Sequence, residues 1–133
     1  MLGEHSIDVM LLATDLDVAR DFYGHRIGLE VLLDNDQFVT FKCGGESRLV
    51  VTKSSAGTAD DATKASWRVD DLAAEVADLR SRGVEIQDLP DLNTVDGIAD
   101  VGFAFAAWFV DPHRNSIGLL QFKDPEGGTG NSS

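Results

Sequence analysis

Cysteines and long apolar segments, which mark disulfide-bonded and membrane proteins, are scarce or absent in this sequence. Its 133 residues include one cysteine, Cys43, so no disulfide bond can form within the chain. No run of about 18 apolar residues is present, which argues against a membrane-spanning helix. The amino terminus lacks the basic start and apolar middle of a signal peptide, and we therefore expect a cytoplasmic protein.

Basic residues are also scarce. The chain has 11 Lys and Arg residues against 23 Asp and Glu, for a formal net charge of −12, and the acidic residues are spread along it. Nucleic acids and anionic membranes are therefore not expected as partners, since both attract basic surfaces. Because 43% of the residues are hydrophobic, the chain can bury one sizeable core, and its length favours a single domain over residues 1–122.

The sequence does contain a repeat. Two stretches align without a gap: TDLDVARDFYGHRIGLEV at 14–31 and VDDLAAEVADLRSRGVEI at 69–86. Each copy has an Asp, at Asp15 and Asp70, where a helix needs its first N–H groups capped. A Gly that can adopt the left-handed conformation ends each helix, at Gly28 and Gly83. The repeat therefore predicts two copies of one strand–helix–strand unit.

Apolar spacing extends this unit to a whole module. The residues expected on the buried helix faces are Val18, Phe22 and Ile27 in the first copy and Leu72, Val76 and Leu79 in the second. Strands are predicted at IDVMLLA, LEVLLD, QFVTFKCG and SRLVVTK, and again at ASWRV, VEIQ, VGFAFAAWFV and SIGLLQF. The predicted class is α+β, with βαβββ modules at about 7–53 and 64–122, a polar linker at 54–63 and a polar tail at 123–133.

Two motifs, one in each half, match a known family. They lie in DFYGHRIGLEV and in WFVDPHRNSIGLLQ. The matching residues are Phe22, Tyr23, Gly28, Leu29 and Val31 in the first and Phe109, Asp111, Pro112 and Asn115 in the second. With two βαβββ modules, the chain resembles the vicinal oxygen chelate superfamily of glyoxalases, bleomycin-resistance proteins and extradiol dioxygenases. The resemblance implies two curled sheets around an open, barrel-like cleft, with the helices outside. Arg114 stands where the second motif usually has Gly.

The same resemblance locates four candidate metal positions. Metal enzymes of this family place His or Glu ligands on inward-facing strand positions, one pair in each module. The matching residues here are Asp8, Val50, Lys64 and Gly118. A divalent ion needs several lone-pair donors, whereas Val and Gly have none in their side chains and a charged Lys repels the ion. We therefore expect no metal and no other cofactor.

Strand alternation predicts which side chains face the cleft. The predicted ligand-binding residues are Asp8, Met10, Val50, Ser66, Arg68 and Gly118. Two of them have a plainer interpretation: Asp8 pairs with Lys64 or Arg68, or Arg68 makes a dimer contact. Gly118 either marks a strand bulge or leaves room for a ligand. The side of the sheet on which Trp108 lies is not determined by the pattern.

Three function classes remain open. The favoured one is a metal-free protein that binds a small organic ligand, as resemblance to the bleomycin-resistance branch implies. The second is an enzyme, a lyase, isomerase or dioxygenase-like protein, in which Asp8 acts as base and Lys64 or Arg68 stabilises an oxyanion. The third is an interaction domain with a closed cleft. In each case uncovered sheet edges lead us to expect a homodimer.

Overall fold

Two four-stranded sheets make up the fold of the computed structural model, which describes residues 1–123. The predicted tail lies outside these residues, apart from Lys123. The first sheet contains β1 (Asp8–Ala13), β2 (Val31–Asp34), β3 (Phe38–Lys42) and β4 (Arg48–Lys53). The second contains β5 (Thr63–Arg68), β6 (Ala99–Asp100), β7 (Ala104–Val110) and β8 (Ser116–Phe122).

The two sheets have the same topology. Their strand orders are β1-β4-β3-β2 and β5-β8-β7-β6, and in each the first strand runs parallel to the last while the other neighbours are antiparallel. The predicted α+β class and the repeated βαβββ order are confirmed. By its contacts the chain divides into two compact units, Met1–Ala62 with Asp111–Asn115, and Thr63–Val110 with the chain from Ser116 onward.

The first helix differs in geometry from the simple helix that the repeat predicts. It begins as the α-helix α1, Leu16–Ala19, and continues as a π-helix over Arg20–Arg26. The side chain of Asp15 caps it, as predicted, by accepting hydrogen bonds from the backbone N–H groups of residues 17 and 18. The wider π-helical turn changes which residues share a face. Val18, predicted to be buried, lies before this turn, in α1, and is 40% exposed, whereas Leu16 and Ala19 of α1 are buried.

The second helix, α2 (Leu72–Ser81), buries all three residues predicted for its apolar face: Leu72, Val76 and Leu79. Its cap is Asp71, which accepts a hydrogen bond from the N–H of Ala74 at 3.1 Å, so the prediction of Asp70 was wrong by one residue. Gly28 and Gly83, predicted to follow the two helices, have φ of 92° and 83°. Both therefore adopt the left-handed conformation that glycine permits at low cost.

One predicted strand is absent. VEIQ, residues 84–87, forms no strand, although Val84 and Ile86 are buried as the alternation indicated. A backbone hydrogen bond of 2.9 Å, from Gln87 N–H to the carbonyl of Trp108, joins it to β7. The strand that pairs with the outer edge of β7 is instead β6, Ala99–Asp100, which lies in the segment predicted to be a loop.

Each sheet has a face that carries its helix and a face on the other side, which we call the far face. In the first sheet the helix face includes Phe41, whose ring lies 5.8 Å from that of Tyr23. In the second, Gln121 of β8 accepts a hydrogen bond at 2.8 Å from Leu72 N–H, at the start of α2. Residues that alternate with these lie on the far faces. Short 3-10 turns at Leu2–Glu4 and Pro90–Leu92 complete the helical structure of the described residues.

Candidate functional site

The far face of the first sheet carries a charge pair at one end of β1 and β4. Asp8 lies opposite Arg48 in the parallel register of these strands. Both carboxylate oxygens of Asp8 accept from the guanidinium, at 3.2 Å from Nε and 3.3 Å from Nη2. The counter-ion of Asp8 therefore comes from the neighbouring strand of its own module, a pairing that sequence patterns did not reveal.

A surface cavity of about 500 Å³ adjoins this pair. Charges of both signs line it, since Lys42, Glu30 and Glu46 join Asp8 and Arg48 in its walls. Leu32 contributes an apolar wall. The cavity belongs wholly to the first module, and its mixture of charges suits a polar ligand better than an apolar one.

Further along the same face lie the two apolar residues that the sequence placed in the cleft. Met10 is opposite Val50 across β1 and β4. Met10 is 61% exposed, whereas Val50 is buried. A ligand or a second protein can therefore reach the side chain of Met10 but not that of Val50.

The far face of the second sheet has a different composition. Ser66, Gly118 and Trp108 form one row across β5, β8 and β7. A Cβ atom built on Gly118 would lie 2.6 Å from Ser66 Oγ and 3.4 Å from Trp108 Nε1. The strand pairing thus places Trp108 on the far face, which the pattern left open. The prediction of free space beside Gly118 was wrong at the Cβ position, because the side chains of Ser66 and Trp108 approach it closely. The absence of a side chain at Gly118 permits this approach.

Arg68 lies two residues beyond Ser66 on β5 and opposite Leu120. Its guanidinium carbon is 4.8 Å from the ring centroid of Phe122, a cation–π contact. Within residues 1–123 no carboxylate forms an ion pair with it. Arg68 therefore presents an exposed positive charge whose visible neighbour is an aromatic ring.

Lys64, the other predicted cation, occupies a bulge in β5. Thr63 pairs with Ser116 and Ala65 pairs with Ile117, so Lys64 is the extra residue between two consecutive positions of β8. The methyl group of Thr63 would lie 3.5 Å from a Cβ at Gly118. Thr63, rather than Lys64, is therefore the residue beside Gly118.

A buried polar network in the first unit accounts for the two sequence motifs. Asp111 accepts hydrogen bonds from the hydroxyl of Tyr23 at 2.7 Å, from the side-chain and main-chain N–H of Asn115 at 2.8 and 2.9 Å, and from His113 N–H at 2.8 Å. Asn115 also donates to the carbonyl of Leu12 at 2.9 Å. The motifs therefore join a hairpin turn to the first helix and to β1, which is a structural role.

This network changes the acidity of its tyrosine. Burial raises the pKa of Tyr23 far above the usual range, and the negative charge and hydrogen bond of Asp111 raise it further. Asp111 and Asn115 are themselves buried. The tyrosine hydroxyl thus acts as a fixed hydrogen-bond donor in the interior and is not placed for proton transfer to a ligand.

Comparison with known proteins identifies the family. The model of the Glyoxalase/Bleomycin resistance protein/Dioxygenase superfamily matches residues 7–128. The chain belongs to this superfamily. A comparison of the sequence with curated proteins gave no match.

Solved structures of superfamily proteins resemble it over most of their length. TnmS3, an antibiotic binding protein from Streptomyces sp. CB03234, is 26% identical, with a TM-score of 0.72 over 92% of this chain and 99% of that one. A glyoxalase/bleomycin resistance protein from the same organism is 25% identical, with a TM-score of 0.65 over 88% and 99%. Lactoylglutathione lyase from Agrobacterium tumefaciens, 23% identical, shares the fold, with a TM-score of 0.64 over 86% and 91%.

The residues at the superfamily's metal positions do not fit a divalent ion. The first module offers Asp8 and Val50, and the carboxylate of Asp8 is already bonded to Arg48. The second offers Gly118 and, beside it, Thr63 in place of the predicted Lys64, and none of these three supplies an anionic or imidazole donor. Within the described part of the chain, no three His, Cys, Asp or Glu side chains gather into a possible metal site. The structure of residues 1–123 also contains no helix long and apolar enough to cross a membrane.

Proposed function

We propose that this superfamily member is a metal-free protein that binds a small organic ligand. The observation that carries the proposal is its similarity to TnmS3, whose stated role is antibiotic binding and whose chain is matched over 99% of its length. The unsuitable donors at the metal positions support the metal-free part. Ligand binding requires reachable side chains on a rigid scaffold, and the far faces of both sheets supply them.

The proposed ligand-binding residues are those that the sequence indicated: Asp8, Met10, Val50, Ser66, Arg68 and Gly118. Support differs among them. Met10, Ser66 and Arg68 are exposed on the far faces of their sheets. Val50 and Gly118 are buried and contribute shape rather than contact. Asp8 contributes as half of an ion pair.

The arrangement of Asp8 favours binding over catalysis. A general base needs a carboxylate oxygen that can accept a proton from the substrate. Both oxygens of Asp8 are held by the guanidinium of Arg48, so proton transfer to either would break the ion pair. An enzyme in which Asp8 acts as base, with Lys64 or Arg68 stabilising an oxyanion, is therefore the weaker alternative.

We also propose a cytoplasmic homodimer. The far face of the first sheet exposes a set of large apolar side chains, Met10, Leu12, Leu32 and Leu33. Exposed apolar patches of this kind mark association surfaces in soluble proteins. Sedimentation analysis at micromolar concentration is expected to show a species of twice the chain mass, and a 14.3 kDa species alone would contradict the dimer.

Native mass spectrometry of freshly purified protein tests the main proposal. We expect a co-purified organic molecule, or binding of candidate aromatic compounds, without a stoichiometric metal. One tightly bound zinc, nickel, manganese or iron ion per chain that disappears in Asp8→Ala would refute the metal-free part. Turnover of a bound compound that is lost in the same variant would replace binding by catalysis.

A further inference from the structure

Among residues 1–123, the far face of the second sheet contains hydrogen-bond donors and aromatic rings but no carboxylate. Its polar side chains include Ser66, Arg68 and Trp108, and the residues between them are apolar or small: Ala104, Ala106, Gly118, Leu120 and Phe122. This composition is unusual for the chain, in which Asp and Glu outnumber Lys and Arg by 23 to 11. A face of this kind attracts cations less than the rest of the surface does, and its donors are complementary to hydrogen-bond acceptors.

Two of the donors converge on one point. Ser66 Oγ and Trp108 Nε1 would lie 2.6 Å and 3.4 Å from the same Cβ atom on Gly118, so they are at most 6.0 Å apart, the sum of these distances. An oxygen atom that approaches above Gly118, on the open side of that Cβ position, can accept a hydrogen bond from each. Both groups have no hydrogen-bond partner within residues 1–123. Among the described residues, the enclosed side-chain atoms without a partner are Thr52 Oγ1 and His113 Nδ1. Ser66 is exposed and Trp108 is half-buried, so a ligand can reach both donors.

The third donor lies one row further along the sheet. Arg68 is two residues from Ser66 on the same strand, which separates their Cα atoms by about 7 Å. The ring of Phe122 lies against the guanidinium, and stacking on a ring leaves the N–H groups at the edge of the guanidinium plane available. The ring of Phe122 thus holds the guanidinium of Arg68 in place without neutralising its charge.

Other arginines of the chain show what is distinctive about Arg68. Arg20, Arg48, Arg80, Arg82 and Arg114 each lie within 4.0 Å of a carboxylate oxygen. Arg68 has no such partner in the described part of the chain. In a protein with a net charge of −12, an exposed arginine beside aromatic rings and away from acids is the natural place for an external anion.

Aromatic surface surrounds the donors. Phe103 is 62% exposed, and its ring centroid lies 5.7 Å from that of Phe122. Trp108 is half-buried at the other end of the face. Planar aromatic ligands gain from both the apolar area and the orientation of such rings.

We propose that this face selects planar aromatic ligands that carry two oxygen groups, one neutral acceptor and one anion. The acceptor binds between Ser66 and Trp108, and a carboxylate or phenolate binds to Arg68. The inference rests on the proposed ligand-binding function and names the ligand class for it. It excludes cationic ligands, although the overall acidity of the chain would favour them.

Isothermal titration calorimetry with 6-hydroxy-2-naphthoate and its uncharged methyl ester tests this class. The two probes share the ring and the hydroxyl group and differ in charge. We expect the acid to bind at least about tenfold more tightly than the ester, because a hydrogen bond to a charged group contributes more than a neutral one. Added salt should weaken binding of the acid and leave that of the ester unchanged.

Matched variants assign the preference to its residues. Arg68→Gln should abolish the tenfold preference for the acid, Arg68→Lys should retain part of it, and Ser66→Ala should weaken both probes. Arg82→Gln makes the same change of charge at an arginine that pairs with Asp78 and should alter neither affinity. Equal melting temperatures of the Arg68 variants and the unaltered protein would show that folding is intact.

The outcomes separate this inference from the proposed function. Binding of acid and ester with equal affinity, unaffected by Arg68→Gln, would refute the ligand class while supporting a binding protein. Failure of the acid to bind would also refute the ligand class, and the proposed function would then depend on the mass spectrometry described above.

Discussion

The two modules share a backbone plan but differ in the chemistry of their far faces. In the first, Asp8 and Arg48 neutralise each other beside a cavity of mixed charge. In the second, Ser66, Arg68 and Trp108 are donors without an acid among them. Strand pairing and helix packing require only apolar alternation on the helix face, so the repeat constrains the fold and leaves the far faces free to diverge.

The two hairpin turns that precede the last strand of each sheet show the same contrast. Both close with a 3.0 Å hydrogen bond from the first N–H to the fifth carbonyl, between Cys43 and Ser47 and between Asp111 and Asn115. The first turn is exposed at Ser47, whereas the second is filled by the buried carboxylate of Asp111. The two turns therefore have the same backbone hydrogen bond, but we expect the second to contribute more to the stability of the protein.

Removing the two turn side chains is expected to give the largest difference. Asp111→Ala deprives four donors of their acceptor in a buried site and should lower the free energy of unfolding by about 3–5 kcal/mol. Ser47→Ala removes a hydroxyl whose hydrogen bond, to the carbonyl of Gly44, is exposed, and should change it by less than about 1 kcal/mol. Urea denaturation of both variants measures the difference, and similar losses would show that the turns are equivalent after all.

A second comparison concerns the helices. Leu72→Ala in α2 removes a side chain that is 1% exposed and should cost about 2–5 kcal/mol. Val18→Ala in α1, at a residue that is 40% exposed, should cost less than about 0.5 kcal/mol. Thermal denaturation distinguishes them. A large loss in the Val18 variant would indicate that Val18 packs in the core, as its spacing in the sequence predicted.

Tyr23 gives the first module an alkaline pH dependence that no tyrosine supplies in the second. Its pKa is raised in the folded protein, whereas in the unfolded chain it is about 10. The folded state therefore retains the proton at a pH where the unfolded chain loses it, and this contribution to stability is present below pH 10 and decreases above it. We expect a decrease of about 1.4 kcal/mol per pH unit above 10.

The sequence contains one tyrosine, so tyrosinate absorbance reports Tyr23 alone. Absorbance should rise together with the loss of circular dichroism as pH is increased. Tyrosine ionisation in a protein that remains folded would contradict the buried hydrogen bond to Asp111. Tyr23→Phe should flatten the alkaline part of the stability profile, while Trp67→Phe in the second module should leave it unchanged.

The smallest expected effect concerns Arg114, which has a φ of 69° where the superfamily motif usually has Gly. A residue with a Cβ is strained in this conformation, so Arg114→Gly should raise the free energy of unfolding by about 0.5–1 kcal/mol. The guanidinium lies 3.8 Å from Asp61, an exposed pair of little consequence. Asp61→Asn, which removes that pair and keeps the backbone, should shift the melting temperature far less than Arg114→Gly does.

Much of the fold could be predicted because its signals are local. The predictions were wrong where the structure depends on contacts between elements that are distant in the sequence. VEIQ alternates as a strand does, but Val84 and Ile86 are buried without the backbone pairing that defines a strand, and Ala99–Asp100 pairs with β7 instead. In the first helix, the apolar spacing assumed an α-helical period that the π-helix does not have.

The candidate site was less accessible to sequence analysis than the fold. Alternation identified the strand residues Met10, Ser66 and Arg68 that lie on far faces, since alternation is a property of a single strand. It did not identify Arg48 as the partner of Asp8, a residue 40 positions away, because their distance depends on the register of β1 and β4. Nor did it show the bulge in β5, which places Thr63 instead of the predicted Lys64 beside Gly118.

The sequence by itself determined the two modules, their order of elements and the ends of both helices at Gly28 and Gly83. These depend on neighbouring residues: a cap, an apolar period and a backbone conformation that glycine allows. The tertiary structure alone decided that Trp108 stands beside Gly118 and Ser66, and that Arg68 lies against Phe122 without an ion pair to any described acid. Such neighbours come from different strands, and the register that joins them is set by the packing of the whole sheet.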